Sequence, residues 1–203
     1  MIRPFGEAAL LVELGSPERA QALAASLRAA PIDGVVEAVP GLESVVIELA
    51  QPGMDPEALV PALEDRLASL DVAPGEGRSH VIPVVYGGPD LAGVAALTGL
   101  TTDEVVALHT GAELRVLFCG FAPGFAYLSD LPQRLQVDRL ETPRTRTPVG
   151  SVAIAGRMSG IYPADLPGGW RVIGRTTMTL FDPRRDPPVT LLPGDRVRFE
   201  PAG

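Results

Sequence analysis

"FCGFAPGFAYL", residues 118–128, combines chemistry that ordinary elements keep apart. Gly120 and Gly124 alternate with Phe121, Phe125 and Tyr127, and Pro123 stands between them. Glycine and proline both weaken a strand interior, one through backbone entropy and the other through its missing N–H. Three aromatics are equally unusual in a solvated loop. The stretch therefore reads as a strand, about 114–119, that runs out into a loop at a barrel rim. Glycine there allows positive φ and close backbone approach, and proline stiffens the loop. The spacing makes Phe121, Phe125 and Tyr127 candidate walls of a pocket whose amide N–H groups face a ligand. A plainer reading, with aromatics in a core and glycines only turning the chain, stays open.

Residues around this stretch have the same texture. "RVLFCG", "SVAIAG", "GIYP", "WRVIG", "TMTLF" and "DRVRFE" are short apolar runs separated by turn signals such as Pro167-Gly168-Gly169 and Pro193-Gly194-Asp195. Many short strands with such punctuation predict a sandwich or barrel. Two short helices are predicted before them, 90–98 and 102–109, the second opened by a capping-box spacing, Thr101-x-x-Glu104.

The first eighty residues follow a different order. "ALLVEL" (9–14) is a strand, and Ser16-Pro17-Glu18 opens a helix to about Ala30. "VVEAV" (35–39) and "SVVIEL" (44–49) flank Pro40-Gly41 as a hairpin. Asp55-Pro56-Glu57 opens a second helix to about Leu70, with Pro61 marking a kink or a delayed start. "HVIPVVY" (80–86) adds one more strand, which gives the order βαββαβ of the split-βαβ, ferredoxin-like pattern. "VAPGEGRS" (72–79) reads as a linker, so the expected domains are an α+β unit at 1–79 and a β-barrel at 80–203.

Composition narrows the function. All 17 basic residues are arginine, and there is no lysine or asparagine in the 203 residues, which excludes a P-loop lysine and a lysine Schiff base. A net charge of −8 argues against nucleic-acid binding. No apolar run approaches the ~20 residues of a membrane span, and the N-terminus reads as a strand, not a signal peptide. A soluble cytoplasmic protein is the expectation. Residues 131–175 nevertheless carry seven arginines against three acids, Asp138, Glu141 and Asp165. Arginine suits carboxylates and phosphates. "TPRTRTPVGSVAIAG" (142–156) places Arg144 and Arg146 before Gly150 and Ser151, and "PGGWRVIG" (167–174) joins Gly168, Gly169 and Trp170 to Arg171, with Arg175 next. His109 ends a predicted helix, where it could serve the helix dipole, contact an anion or carry a proton. Two histidines and one cysteine supply no metal-ligand spacing, so no protein-bound metal is predicted.

"GFAPGFAYL", "TPRTRTPVGSVAIAG", "GIYP" and "PGGWRVIGRT", in this order, resemble the 5-oxoprolinase B-subunit family. That family also holds the sporulation-kinase inhibitor and proteins called allophanate hydrolase subunit 1. The resemblance runs from "RPFGEAALLVELG" to "LLPGDRVRF". Leu114, Ala126, Val149 and Leu166 depart from the family pattern, and Cys119 stands at a usually apolar position, so it reads as a small hydrophobe. The resemblance implies an N-terminal α+β domain followed by a cyclophilin-like β-barrel. It implies ATP-dependent opening of 5-oxo-L-proline to glutamate by three kinds of subunit, with ATP and magnesium as co-substrate of the complex. This chain has no nucleotide fingerprint, so it would supply one wall of a site completed by the C-type subunit, with the A-type subunit as a further partner. His109, Arg144 and Arg146 are then the expected catalytic residues. Arg175 and the glycine and aromatic segments are the expected binding surface. Two other readings compete: a regulator that binds a sensor histidine kinase, and a carboxyltransferase module of a urea carboxylase or allophanate hydrolase system that needs a separate biotin carrier. Proline isomerase activity, suggested by the barrel alone, is the weakest.

Overall fold

The computed structural model describes residues 1–50, 56–72 and 77–202. The chain divides into two compact units, Met1–Gly75 and Glu76–Gly203.

The first unit contains β1 (Ile2–Pro4), β2 (Ala9–Glu13), α1 (Pro17–Ala29), β3 (Val35–Pro40), β4 (Ser44–Leu49), a 3-10 turn (Pro56–Leu59) and α2 (Val60–Ala68). The hydroxyl of Ser16 accepts from the Arg19 N–H at 3.3 Å, and Pro17 and Glu18 occupy the first turn of α1, as the local sequence requires. Ala20, Leu23, Ala24 and Leu27 recur at helical spacing and are the buried face of α1. They pack with Leu10, Val12, Val45, Ile47 and Leu63 in one core. Each fully buried leucine there contributes about 1.5–3 kcal/mol. Pro61 sits in the first turn of α2, so the delayed start is the correct alternative; Asp55 lies outside the described residues.

The sheet of this unit has the order β1-β2-β4-β3 with antiparallel neighbours. This corrects the ferredoxin-like reading at one strand. Residues 80–86 do not join this sheet, and the place beside β2 is taken by β1, which sequence reasoning passed over. Arg3 and Pro4 suit an exposed edge, where a missing N–H and a charge both discourage further pairing.

The second unit continues with β5 (Ser79–Tyr86), α3 (Leu91–Thr98), α4 (Thr102–Thr110), β6 (Leu114–Cys119), β7 (Ala126–Ser129), β8 (Arg144–Thr147), β9 (Ser151–Ala155), β10 (Met158–Ile161), β11 (Leu166–Gly168), β12 (Arg171–Arg175) and β13 (Arg196–Pro201). Seven strands close a barrel in the order β10-β7-β6-β13-β5-β12-β9, with β9 pairing back onto β10. β5 and β13 run parallel from Ser79↔Arg196 to Val84↔Pro201, and the other barrel pairs are antiparallel. β8 and β11 form a separate two-stranded sheet. Alternation along β9 sends Val152 and Ile154 into the barrel core and Ala153 and Ala155 to the opposite face. The Thr101–Glu104 capping box forms, with bonds in both directions. "TMTLF" makes no strand; Phe181 has only an isolated bridge to Val189. Among the described residues no single helix is long and apolar enough to cross a membrane.

Candidate functional site

The opening stretch folds as the β6–β7 hairpin and its loop. The Gly120 N–H donates to the Phe125 carbonyl at 3.1 Å, and the Phe125 N–H donates to the Ala122 carbonyl at 3.0 Å. Gly124 has φ +81, and a Cβ there would lie 2.8 Å from Cβ of Phe181 and 3.0 Å from the Leu180 carbonyl. Both the conformation and the space demand glycine. Gly120 has no such constraint, and Pro123 is exposed in the loop.

Phe125 is only 2% exposed and forms the hub of an aromatic cluster. Its ring centroid lies 4.9 Å from Tyr127, 5.5 Å from Tyr162 and 5.7 Å from Trp170, all edge-on. Phe118 stacks on Tyr127 at 4.2 Å, and the Arg139 guanidinium sits 6.0 Å over Trp170. Phe125, Tyr162 and Trp170 make, with Ala153, Ala155 and Val172, a small second core on the face of β9 turned away from the barrel interior, and Tyr127 packs against it. The pocket-wall reading is therefore corrected for Phe125 and Trp170, which fill a core. Phe121 is different: it is 58% exposed and holds φ +69, a costly conformation for an aromatic residue. Gly168 lets the Tyr162 hydroxyl come against the backbone, where a Cβ would collide with it. Gly169 is under no comparable pressure. Gly150, at φ +78, is pressed against the Thr176 carbonyl, and Ser151 is buried beside it.

The arginines gather on and around β8. Arg144 and Arg146 occupy alternate positions and leave the strand on one side. Arg144 donates through Nη2 to Oδ1 of Asp90 at 2.6 Å, and its Nη1 lies 3.5 Å from the Trp170 carbonyl. Arg146 donates through Nε to Asp165 at 2.9 Å and through Nη2 to the same carboxylate. The Val149 N–H completes that carboxylate at 2.8 Å, and these bonds, the backbone one first, hold Asp165 below the usual carboxylate range. Arg175 is exposed, and its side chain runs beside Gly150. The result is a guanidinium surface braced by two carboxylates, suited to holding an anion. Asp90, Asp165 and Tyr162 are the members that sequence reasoning missed. Only the need of each arginine for a counter-charge could have pointed to the two acids, and it does not say which acid.

His109 lies elsewhere. It is fully buried in the barrel, with Nδ1 2.7 Å from the Tyr86 hydroxyl and Nε2 3.0 Å from the Ser159 hydroxyl, and it stacks on Phe199 at 4.5 Å. Burial pushes its pKa down to about 3, so the ring is neutral. This geometry corrects the reading of His109 as an anion contact or proton carrier. Both ring nitrogens are engaged, and neither meets an arginine. His80 donates through Nε2 to the buried Asp195 carboxylate at 2.8 Å, and the same carboxylate accepts from the Arg78 backbone N–H and guanidinium. Burial pushes the Asp195 carboxyl up, but bonds from the Leu192 N–H, His80 and Arg78 outweigh it and hold the group low. The Cys119 thiol faces the Leu191 carbonyl at 3.6 Å, and burial, with the Asp195 charge, pushes it up to about 11. Such a thiol holds little thiolate at neutral pH. Among the described residues no group of three or more His, Cys, Asp or Glu side chains is arranged to hold a metal ion.

Comparison with known proteins agrees with the motif series. The family model for the carboxyltransferase domain, subdomains C and D, matches residues 1–191. The chain is 43% identical over 206 residues to the 5-oxoprolinase B subunit of Escherichia coli O157:H7, covering 97% of this chain and 94% of that protein. The chain belongs to the 5-oxoprolinase B-subunit family. In the crystal structure of TTHA0988 the same fold recurs with a TM-score of 0.83 and 37% identity, covering all of this chain and 40% of that one. The urea carboxylase of Kluyveromyces lactis shares the fold alone, with a TM-score of 0.80 at 23% identity over 22% of its length. B-subunit relatives therefore occur as chains of this size, and the fold also occurs as part of much longer ones.

Proposed function

We propose that the chain is a non-autonomous subunit of an ATP-dependent 5-oxoprolinase, forming one wall of an active site that a C-type partner completes, with the A-type subunit as a further member. The observation that carries this reading is the 43% identity to a 5-oxoprolinase B subunit across nearly the whole chain. The geometry supports it. Arg144, Arg146 and Arg175 offer charge neutralisation, and neither histidine stands beside them as a base. Opening a stable lactam can proceed by phosphorylating its amide oxygen with ATP, which releases ADP. Water then adds to the activated carbon, and the ring C–N bond breaks with the nitrogen leaving as the amine to give an acyl phosphate. A second water hydrolyses that acyl phosphate to glutamate and phosphate. Phosphoryl transfer depends chiefly on positioning and on neutralising charge, which a guanidinium surface supplies. ATP and its magnesium would belong to the assembled complex.

The test is reconstitution. The isolated chain should hydrolyse neither ATP nor 5-oxoproline, and co-expression with its C-type and A-type partners should yield a stable complex that turns over 5-oxoproline only with ATP. Robust turnover by the isolated chain overturns the shared-site reading. The carboxyltransferase family model favours a second reading, in which the chain moves a carboxyl group from a biotin-carrying partner. Activity that requires a biotinylated carrier and ignores 5-oxoproline would select it.

A further inference from the structure

Asp90 stands where a helix N-cap belongs. α3 begins at Leu91, and the Val94 N–H donates to the Asp90 carbonyl at 2.8 Å. An aspartate there ordinarily turns its carboxylate onto the second or third amide of the helix. This one makes no capping bond, and its backbone lies at φ −105, ψ −2. The carboxylate is aimed away from the helix instead. Oδ1 accepts from Arg144 at 2.6 Å, Oδ2 accepts from the Val172 N–H at 2.6 Å, and the residue is only 9% exposed. The Asp90 N–H donates to the Val172 carbonyl at 3.0 Å, which ties the start of α3 to β12. Gly88 permits that approach, since a Cβ there would lie 2.5 Å from the Val172 carbonyl oxygen.

A local rule is broken here, and the group released from the helix is given to an arginine. Arg144 has five N–H donors. Asp90 and the Trp170 carbonyl engage its two terminal nitrogens, which leaves donors beyond these two contacts on a side chain that is 29% exposed. We infer that Asp90 is a positioning residue, which holds the Arg144 guanidinium in the orientation that binds the carboxylate or phosphate of the substrate. The role rests on the reading of Arg144 as an anion contact of the 5-oxoprolinase site. An arginine held in advance loses less rotamer freedom on binding, so its loss of support should appear in KM.

The test uses the reconstituted complex with Asp90→Asn, Asp90→Ser, Arg144→Ala and the double variant Asp90→Asn/Arg144→Ala. Asp90→Ser removes the carboxylate by a second, smaller polar replacement, so the role is read on whichever Asp90 variant folds. Each Asp90 variant should lower kcat/KM by about tenfold or more, chiefly through KM, since a charge-assisted contact is disturbed. The double variant should be no worse than Arg144→Ala alone, because the arginine that Asp90 serves is already gone. Losses that multiply in the double variant, or a normal KM in both Asp90 variants, overturn the role while leaving the oxoprolinase reading in place. An assembled wild-type complex that does not turn over 5-oxoproline overturns that reading, and this role with it.

Discussion

The Tyr86 hydroxyl and Nδ1 of His109 lie 2.7 Å apart, one link of a hydrogen-bond chain that runs on from His109 to Ser159. The Ser159 hydroxyl donates to the Ala153 carbonyl at 3.3 Å, so it accepts a hydrogen bond from Nε2–H of His109. Nδ1 then carries the lone pair, and Tyr86 donates to it. A neutral ring satisfies every member, and burial rather than a lack of acceptors disfavours the imidazolium, since the Tyr86 hydroxyl could turn to accept.

The first prediction is a pH dependence of stability. The folded pKa of His109, about 3, lies below its ordinary value of 6.5, so the unfolded chain binds more protons between those values. Stability should be full above pH 6.5 and should decline as pH falls toward 3. The upper part of that window lies above the range of ordinary carboxylates. His109→Gln should lower the melting temperature at pH 7.5 and should flatten the decline between pH 6.5 and 5. An identical slope in wild type and variant would show that the histidine is not buried neutral.

The second prediction concerns Gly124. Valine at φ +81, against Phe181 and the Leu180 carbonyl, is strained twice over. Gly124→Val should destabilise the barrel unit by about 1–3 kcal/mol or more. Activity of the reconstituted complex at low temperature should survive, because the contacts that crowd the site lie within the chain. Lost turnover with unchanged melting would instead place a ligand or partner against this loop.

How much of this was legible in the sequence follows from the range of each interaction. Ser16, Pro17, Thr101 and Glu104 act within one helical turn, so α1 and α4 could be read directly. The run 80–86 alternates as a strand must, yet nothing local says whether it pairs with β2 or with β13, more than a hundred residues away. The same limit governs the site. The loop glycine Gly124 was recognisable as special, but the crowding by Phe181 that makes it so comes from a distant segment. Asp90 meets Arg144 across 54 residues, and its position before a helix suggests only a cap. His109 suits a helix C-terminus by sequence, while its real partners, Tyr86, Ser159 and Phe199, come from three strands.

The third prediction concerns Cys119. With its thiol pushed up to about 11 by burial and the Asp195 charge, little thiolate exists at pH 8. Alkylation of the folded chain by iodoacetamide should be far slower than that of the same chain in denaturant, and Cys119→Ala should leave the activity of the complex intact. Rapid alkylation of the folded chain, or an inactive alanine variant, would restore the thiol as a candidate reactive group.

The last prediction separates the two arginines of β8. Arg144 is half-hidden against the buried Asp90, so Arg144→Ala leaves a carboxylate with only the Val172 N–H and should destabilise the unit by about 1–3 kcal/mol. Arg146 is 74% exposed on its partner Asp165, and salt screens such pairs, so Arg146→Ala should leave the melting temperature unchanged. Activity should not follow that division. If both hold an anion, each alanine variant should lower the turnover of the reconstituted complex by about tenfold or more at a temperature where both are folded. Arg28, exposed in the last turn of α1, serves as the control and should tolerate alanine in both measurements. Melting and turnover on the same three proteins decide the matter. An Arg146→Ala variant with normal melting and impaired turnover places that guanidinium at the site. Normal turnover in it, alongside an Arg144→Ala variant impaired only near its melting point, would reduce the β8 arginines to a structural brace.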